Sequence, residues 1–231
     1  MSRPPLTIEE KHSIATSLIH AAQQIIFTEG LANVTLRKVS KLANVNTAIL
    51  YRHFSDLDEL LLFASIDLLK EMTQQYVERK KSTETTEPFE LYMQEWRLFC
   101  QSSFQHPECI NHVFFGRHSH RLDTLLQDYY ELFADELTHL GITLDDLQYC
   151  GNLYSTNYLL LTQLLGSQTD KNALNLLNDV IISYFHQLLL QKLSAGDSLD
   201  DNLLIEKMLY ACRTLLHWAT QEHPQHASCS L

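Results

Sequence analysis

The 231-residue sequence predicts an all-α protein: three N-terminal helices followed by a larger helical body. Apolar residues recur at helical spacing along nearly the whole chain, and no internal repeat or low-complexity run interrupts them. Six glycines and five prolines leave little material for sheets or long loops. The 45% hydrophobic content is enough for real cores in one small and one medium domain.

Each element has its own signal. Thr7 and Glu10 form a capping box ahead of Ile14, Leu18, Ala21, Ala22 and Ile25, and Gly30 ends that first helix. Thr35 caps a second helix, whose buried face is expected at Leu36, Val39 and Leu42, with Lys38 and Lys41 on the opposite side. Asn44 stands where the chain reverses, a place for the left-handed conformation that asparagine tolerates. Asn46 then caps a third helix that turns Leu50 and Phe54 inward and Thr47, Ala48, Tyr51 and Arg52 outward. A fourth helix begins at Asp56 to Asp58 and runs past Tyr76 to Lys81, linking head and body, and Ser82 to Glu87 reads as a loop. Pro88 starts a fifth helix with Tyr92, Trp96 and Phe99, and Pro107 starts a short sixth. Further single helices are expected at about 120–140, 144–166, 172–193 and 202–221, separated by Gly141, Gly166 and the Ser194–Asp197 turn.

The stretch from Thr35 to Phe54 is a helix-turn-helix signature, in which the N-terminal end of the second helix of the pair enters the major groove. Lys38, Lys41, Tyr51 and His53 are the phosphate candidates. Thr47, Ala48 and Arg52 are the base-facing ones, arginine being able to pair bidentately with guanine. Charge agrees locally. Residues 31–55 hold Arg37, Lys38, Lys41 and Arg52 and no acid, residues 1–60 balance six bases against six acids, and residues 61–231 carry the whole net charge of −11. An acidic body on a small cationic face suits oriented contact with a duplex rather than nonspecific coating.

The ordered pattern Ile19-His20-Ala21-Ala22, Phe27, Gly30, Thr35, Val39, Ala43, Val45, Leu50, Tyr51, His53, Phe54 and Leu60-Leu61 resembles the tetracycline-repressor (TetR) family over residues 14 to 62. Asn44 replaces the family's usual glycine, a physically mild change, while Leu57 stands where a phosphate-approaching lysine is frequent, and from that second change a slightly weaker or less salt-dependent hold on DNA is expected. The resemblance implies an N-terminal three-helix DNA-binding domain over 1–55 and a helical effector-binding and dimerisation domain over 56–231. It also implies a repressor that binds a palindromic operator as a homodimer until a small molecule releases it, with Thr35 and Asn46 completing the DNA-facing set.

In the body, 172–193 carries more apolar residues than one face can use, and 202–221 repeats the feature; such helices are buried on two sides. One side would serve the monomer and the other a second copy, which sets two recognition helices about one DNA turn apart. The aromatic-rich middle offers an effector pocket at Trp96, Phe99, His112, Phe115, Tyr130, Phe133, Tyr154, Asn157 and Tyr158. A hydrophobic or cationic effector is the expected chemistry.

Competing readings are a metal sensor and a helical interaction protein that does not bind DNA. His106, Cys109, His112, His118 and His120 cluster, and His223, His226 and Cys229 repeat the theme in the tail, yet no spacing defines four ligands. No cofactor and no catalysis are expected, since nucleophile elbows, phosphate-binding glycine loops and zinc-protease motifs are missing from the sequence. Five cysteines without a C-x-x-C pair suit buried thiols in a reducing compartment. With no apolar run near membrane-span length and no apolar leader, a cytoplasmic protein is expected.

Overall fold

The computed structural model describes residues 7–81, 87–166 and 169–222. The described residues form helices and no strand. The helices are α1 (Ile8–Glu29), α2 (Leu36–Leu42), α3 (Thr47–His53), α4 (Leu57–Lys80), α5 (Pro88–Gln105), α6 (Pro107–Phe115), α7 (Leu122–Leu132), α8 (Ala134–His139), α9 (Leu144–Gly151), α10 (Leu153–Leu165), α11 (Lys171–Ala195) and α12 (Asp201–Glu222).

The first six helices begin where the sequence signals place them. Two expected long helices are each broken. The 120–140 segment opens with a 3-10 turn at Ser119–Arg121 and divides into α7 and α8 at Phe133, whose φ of −119° and ψ of 25° are not helical. That kink buries the Phe133 ring against Tyr129, with centroids 4.5 Å apart. The 144–166 segment divides into α9 and α10 at Asn152, whose side chain accepts from the Ser155 backbone N at 3.1 Å and restarts the helix. Side-chain capping of this kind competes with an unbroken helical ladder. Gly151, just before the break, packs so close to Leu126 that an added Cβ would lie 2.5 Å from its Cδ1. Most of the expected loop, at 82–86, lies outside the described residues.

The chain packs as two compact units. The first joins Met1–Val77 with Glu108–Gly151, so the head, most of α4 and α6 to α9 share one unit. α1 packs on α2 and α3, and α7 packs on α9. Leu18, Ile19, Ala22, Val39 and Leu50 are buried in the head, and Ile110, Val113, Leu126, Leu137 and Leu147 farther along. Leu42 departs from expectation: it is 46% exposed. Two successive steps of three residues from Leu36 turn the helix about 120° short of a full repeat, carrying Leu42 off the stripe. Ser40 and the half-buried Ala43 hold the inward side instead.

The second unit joins Glu78–Pro107 with Asn152–Leu231. α5 packs on α10, α11 and α12, and α11 packs on α10 and α12. Trp96, Phe99 and Phe104 gather around Phe185 of α11, with ring centroids 4.9 to 6.2 Å from it. At the centre lies a buried polar cluster. Asn157 Oδ1 accepts from Tyr92 Oη at 2.9 Å and from Trp96 Nε1 at 3.0 Å, while its Nδ2 donates to Asn178 Oδ1 at 2.7 Å. Asn178 Nδ2 donates in turn to the Tyr154 carbonyl at 3.2 Å. Such a cluster ties α5, α10 and α11 into one register, because each buried polar atom is costly unless partnered.

Candidate nucleic-acid interface

The turn between α2 and α3 is held by short-range bonds that the sequence dictates. Thr35 Oγ1 accepts from Lys38 N at 3.2 Å and starts α2, and Asn46 Oδ1 accepts from Ala48 N at 2.9 Å and starts α3. Both residues named as part of the DNA-facing set thus act first as helix caps. Between them Asn44 has φ 53°, the left-handed conformation expected of it, while Val45 N donates to Ser40 O at 2.9 Å. The reversal is therefore a defined turn rather than a loose joint.

α3 presents its residues in two sets. Leu50 and Phe54 are buried, and Phe54 packs edge-on against Phe63 of α4 with centroids 5.5 Å apart. Ala48 and Arg52 are exposed, Tyr51 is 54% exposed, and Thr47 is half-buried. Small, hydroxyl and aromatic groups therefore share one outward surface with the cationic Arg52 of the last turn, a mixture of the kind that reads base edges.

The cationic groups differ in their freedom. Lys41 and Arg37 are exposed. Lys38, named as a phosphate contact, lies 2.6 Å from Glu29 Oε2 at the end of α1, a partner nine positions away that no helical spacing reveals. His53, also named, encloses its Nε2 with no hydrogen-bond partner. Burial, followed by the nearby charges of Lys11 and Arg52, holds its imidazole below the usual histidine range, which favours the neutral ring.

The head is fastened to the rest of its unit at the start of α4 and the end of α1. Asp56 caps α4 by accepting from Glu59 N at 2.8 Å, and its carboxylate meets His118 Nε2 at 2.9 and 3.1 Å and Arg117 at 3.3 Å. Burial opposes ionisation of Asp56, but the Glu59 backbone N–H, His118 and Arg117 outweigh it and hold the carboxyl below its usual range. Arg121 reaches Glu59 at 3.2 Å, and His112 Nε2 donates to the Asp58 carbonyl at 2.9 Å. On the α1 side, Glu108 Oε2 accepts from Leu31 N at 3.2 Å, and His20 packs against Phe133 with centroids 5.6 Å apart.

Residues 18–63 match the sequence profile of bacterial regulatory proteins of the tetR family. That segment carries the TetR-family sequence pattern. A similarity in fold extends over most of the chain. A TetR transcriptional regulator from Rhodococcus sp. RHA1 aligns with a TM-score of 0.53 at 15% identity, over 90% of this chain and 97% of that one. The Thermus thermophilus repressor FadR, in complex with lauroyl-CoA, aligns with a TM-score of 0.57 at 15% identity, over 87% and 93%. RolR in complex with resorcinol aligns with a TM-score of 0.53 at 16% identity, over 93% and 96%. At these identities the likeness is one of fold. A search of curated proteins returns no match.

The nine residues nominated for an effector pocket are divided between the two units. His112, Phe115, Tyr130 and Phe133 belong to the first unit, and Trp96, Phe99, Tyr154, Asn157 and Tyr158 to the second. Trp96 and Asn157 are engaged with each other in the buried polar cluster, and Tyr154 is 47% exposed. Among the described residues no group of three or more His, Cys, Asp and Glu side chains converges as a metal site. His112 engages α4 through the Asp58 carbonyl and Cys109 is half-buried, while His223, His226 and Cys229 lie outside the described residues. No helix among the described residues is long and apolar enough to cross a membrane.

Proposed function

We propose that this chain is a ligand-responsive transcriptional regulator, a repressor that holds a palindromic operator as a homodimer and is released by a small-molecule effector. The observation that carries the reading is the capped helix-turn-helix with Ala48, Tyr51 and Arg52 on one exposed surface inside the TetR-family match. Residues 1–55 are the DNA-binding domain in this reading, and 56–231 supply effector binding and dimerisation. Thr47, Ala48 and Arg52 read bases; Lys41, Tyr51 and, once freed from Glu29, Lys38 meet phosphate.

Pairing of subunits is supported by α11 and α12. Their inner faces are buried in the second unit, while Leu176, Val180 and Leu190 of α11 and Leu203, Tyr210 and Trp218 of α12 remain exposed as apolar stripes. Stripes of this kind on adjoining helices suit an isologous four-helix contact between two copies. The effector is a hydrophobic or cationic compound; the acyl thioester held by FadR and the phenol held by RolR, on similar folds, favour an apolar or aromatic one. Such a ligand turns a 99:1 population of DNA-competent over incompetent states into 1:99 only by preferring the incompetent state by about 5.5 kcal/mol. No catalytic step belongs to this reading.

Selection of bound sequences from a random duplex pool tests it, with Arg52→Ala run beside the natural protein. The expected result is a two-fold symmetric consensus that the variant loses. No enrichment by folded protein free of co-purified ligand would overturn it in favour of a helical interaction protein.

A further inference from the structure

The outer end of α3 has a cation on its flank that the helix-turn-helix pattern does not include. Lys11 closes the first turn of α1, which packs against α3. It is exposed, and among the described residues its ammonium has no ion-pair partner. Its charge reaches His53, the last residue of α3, together with that of Arg52. The neighbouring acids of α1 are Glu9, exposed, and Glu10, whose Oε2 is engaged by the Thr7 backbone N at 2.8 Å in the capping box.

Two of the phosphate candidates of the helix-turn-helix are compromised. Lys38 is held by Glu29 at 2.6 Å, and His53 encloses Nε2 and favours the neutral ring. His53 is therefore a poor phosphate partner at the end of α3, and Lys11, exposed on the helix packed against α3, offers an unengaged charge beside it.

Resting on the regulator reading above, we propose that Lys11 is a DNA-positioning residue that neutralises a backbone phosphate beside the C-terminal end of α3. It fixes how the head sits on the duplex and reads no base. A phosphate contact contributes to affinity on any sequence and adds to the salt dependence, whereas a base contact changes preference.

The test is a salt series of binding to the selected operator and to an unrelated duplex by the natural protein, Lys11→Gln, Lys11→Arg and Arg52→Ala, with unfolding midpoints measured alongside. Lys11→Gln is expected to lower the slope of log K against log salt by about 0.9 per bound subunit. It should weaken both duplexes by the same factor and leave the selected consensus unchanged, and Lys11→Arg should restore the slope. An unchanged slope in Lys11→Gln, while Arg52→Ala loses the consensus, overturns the role of Lys11 and leaves the regulator standing. Failure of the natural protein to select any sequence overturns both.

Discussion

Glu29 holds Lys38 at 2.6 Å across the junction between the end of α1 and the first turn of α2. Both side chains are close to half exposed, so the pair adds little to stability and acts mainly by occupying a lysine that would otherwise face phosphate. Replacement of Glu29 by Gln should free that charge. Operator binding of Glu29→Gln is expected to tighten at low salt and to gain about one unit of salt slope per subunit, with the unfolding midpoint little changed. An unaltered slope would mean that Lys38 stays away from phosphate even when released.

Asn157 is expected to matter for stability before it matters for any ligand. In Asn157→Ala the Tyr92 hydroxyl and the Trp96 indole N–H lose their acceptor while remaining buried. With unsatisfied buried groups costing about 1–3 kcal/mol each, the loss should be roughly 3 kcal/mol, read as a lowered denaturant midpoint. DNA binding measured well below that midpoint should be retained. A variant of normal stability that no longer responds to effector would instead place Asn157 in the pocket.

His53 predicts a pH dependence of the head. Its folded pKa lies below 6.5 because of burial and the charges of Lys11 and Arg52, so the unfolded chain binds this proton more readily. The stabilising contribution is complete above 6.5 and is lost as pH falls from there through the folded value. Between about pH 8 and 5, His53→Gln should lose less stability on acidification than the natural protein, as a difference between two denaturation series. Parallel curves would assign the acid sensitivity to other histidines, among them His186, which burial also pushes down.

Charging the α11 and α12 stripes should separate the subunits. Leu176→Glu with Tyr210→Glu places two acids on exposed apolar positions, Tyr210 being 70% exposed, so the fold of one chain should survive. Sedimentation should report a monomer with helical content unchanged, and cooperative operator binding should vanish. Dimers that persist would move the interface to another face.

The head was legible because its signals are local. Thr7 with Glu10, Thr35 and Asn46 each satisfy backbone groups within three residues, and Asn44 adopts the left-handed turn that its small polar side chain tolerates. Periodicity alone placed α11 and α12 to within about two residues for the same reason. Leu42 was misplaced because a repeat of three drifts off a helical stripe, an error that only the packing of a seven-residue helix exposes.

What the sequence by itself determined is therefore the helical class, the capped reading pair with its outward Ala48, Tyr51 and Arg52, and an apolar excess on the last two helices. The tertiary structure alone decided which charges are free, by setting Glu29 beside Lys38 and Lys11 near His53. It also decided that α6 to α9 pack in one unit with the head, through Glu108, His118 and Arg121, and that Asn157 spends its polar atoms inside the second unit. The physical reason is one of range. Caps and turns are satisfied by neighbours along the chain, whereas ion pairs and buried hydrogen bonds are satisfied by neighbours in space, and those exist only once the helices have packed.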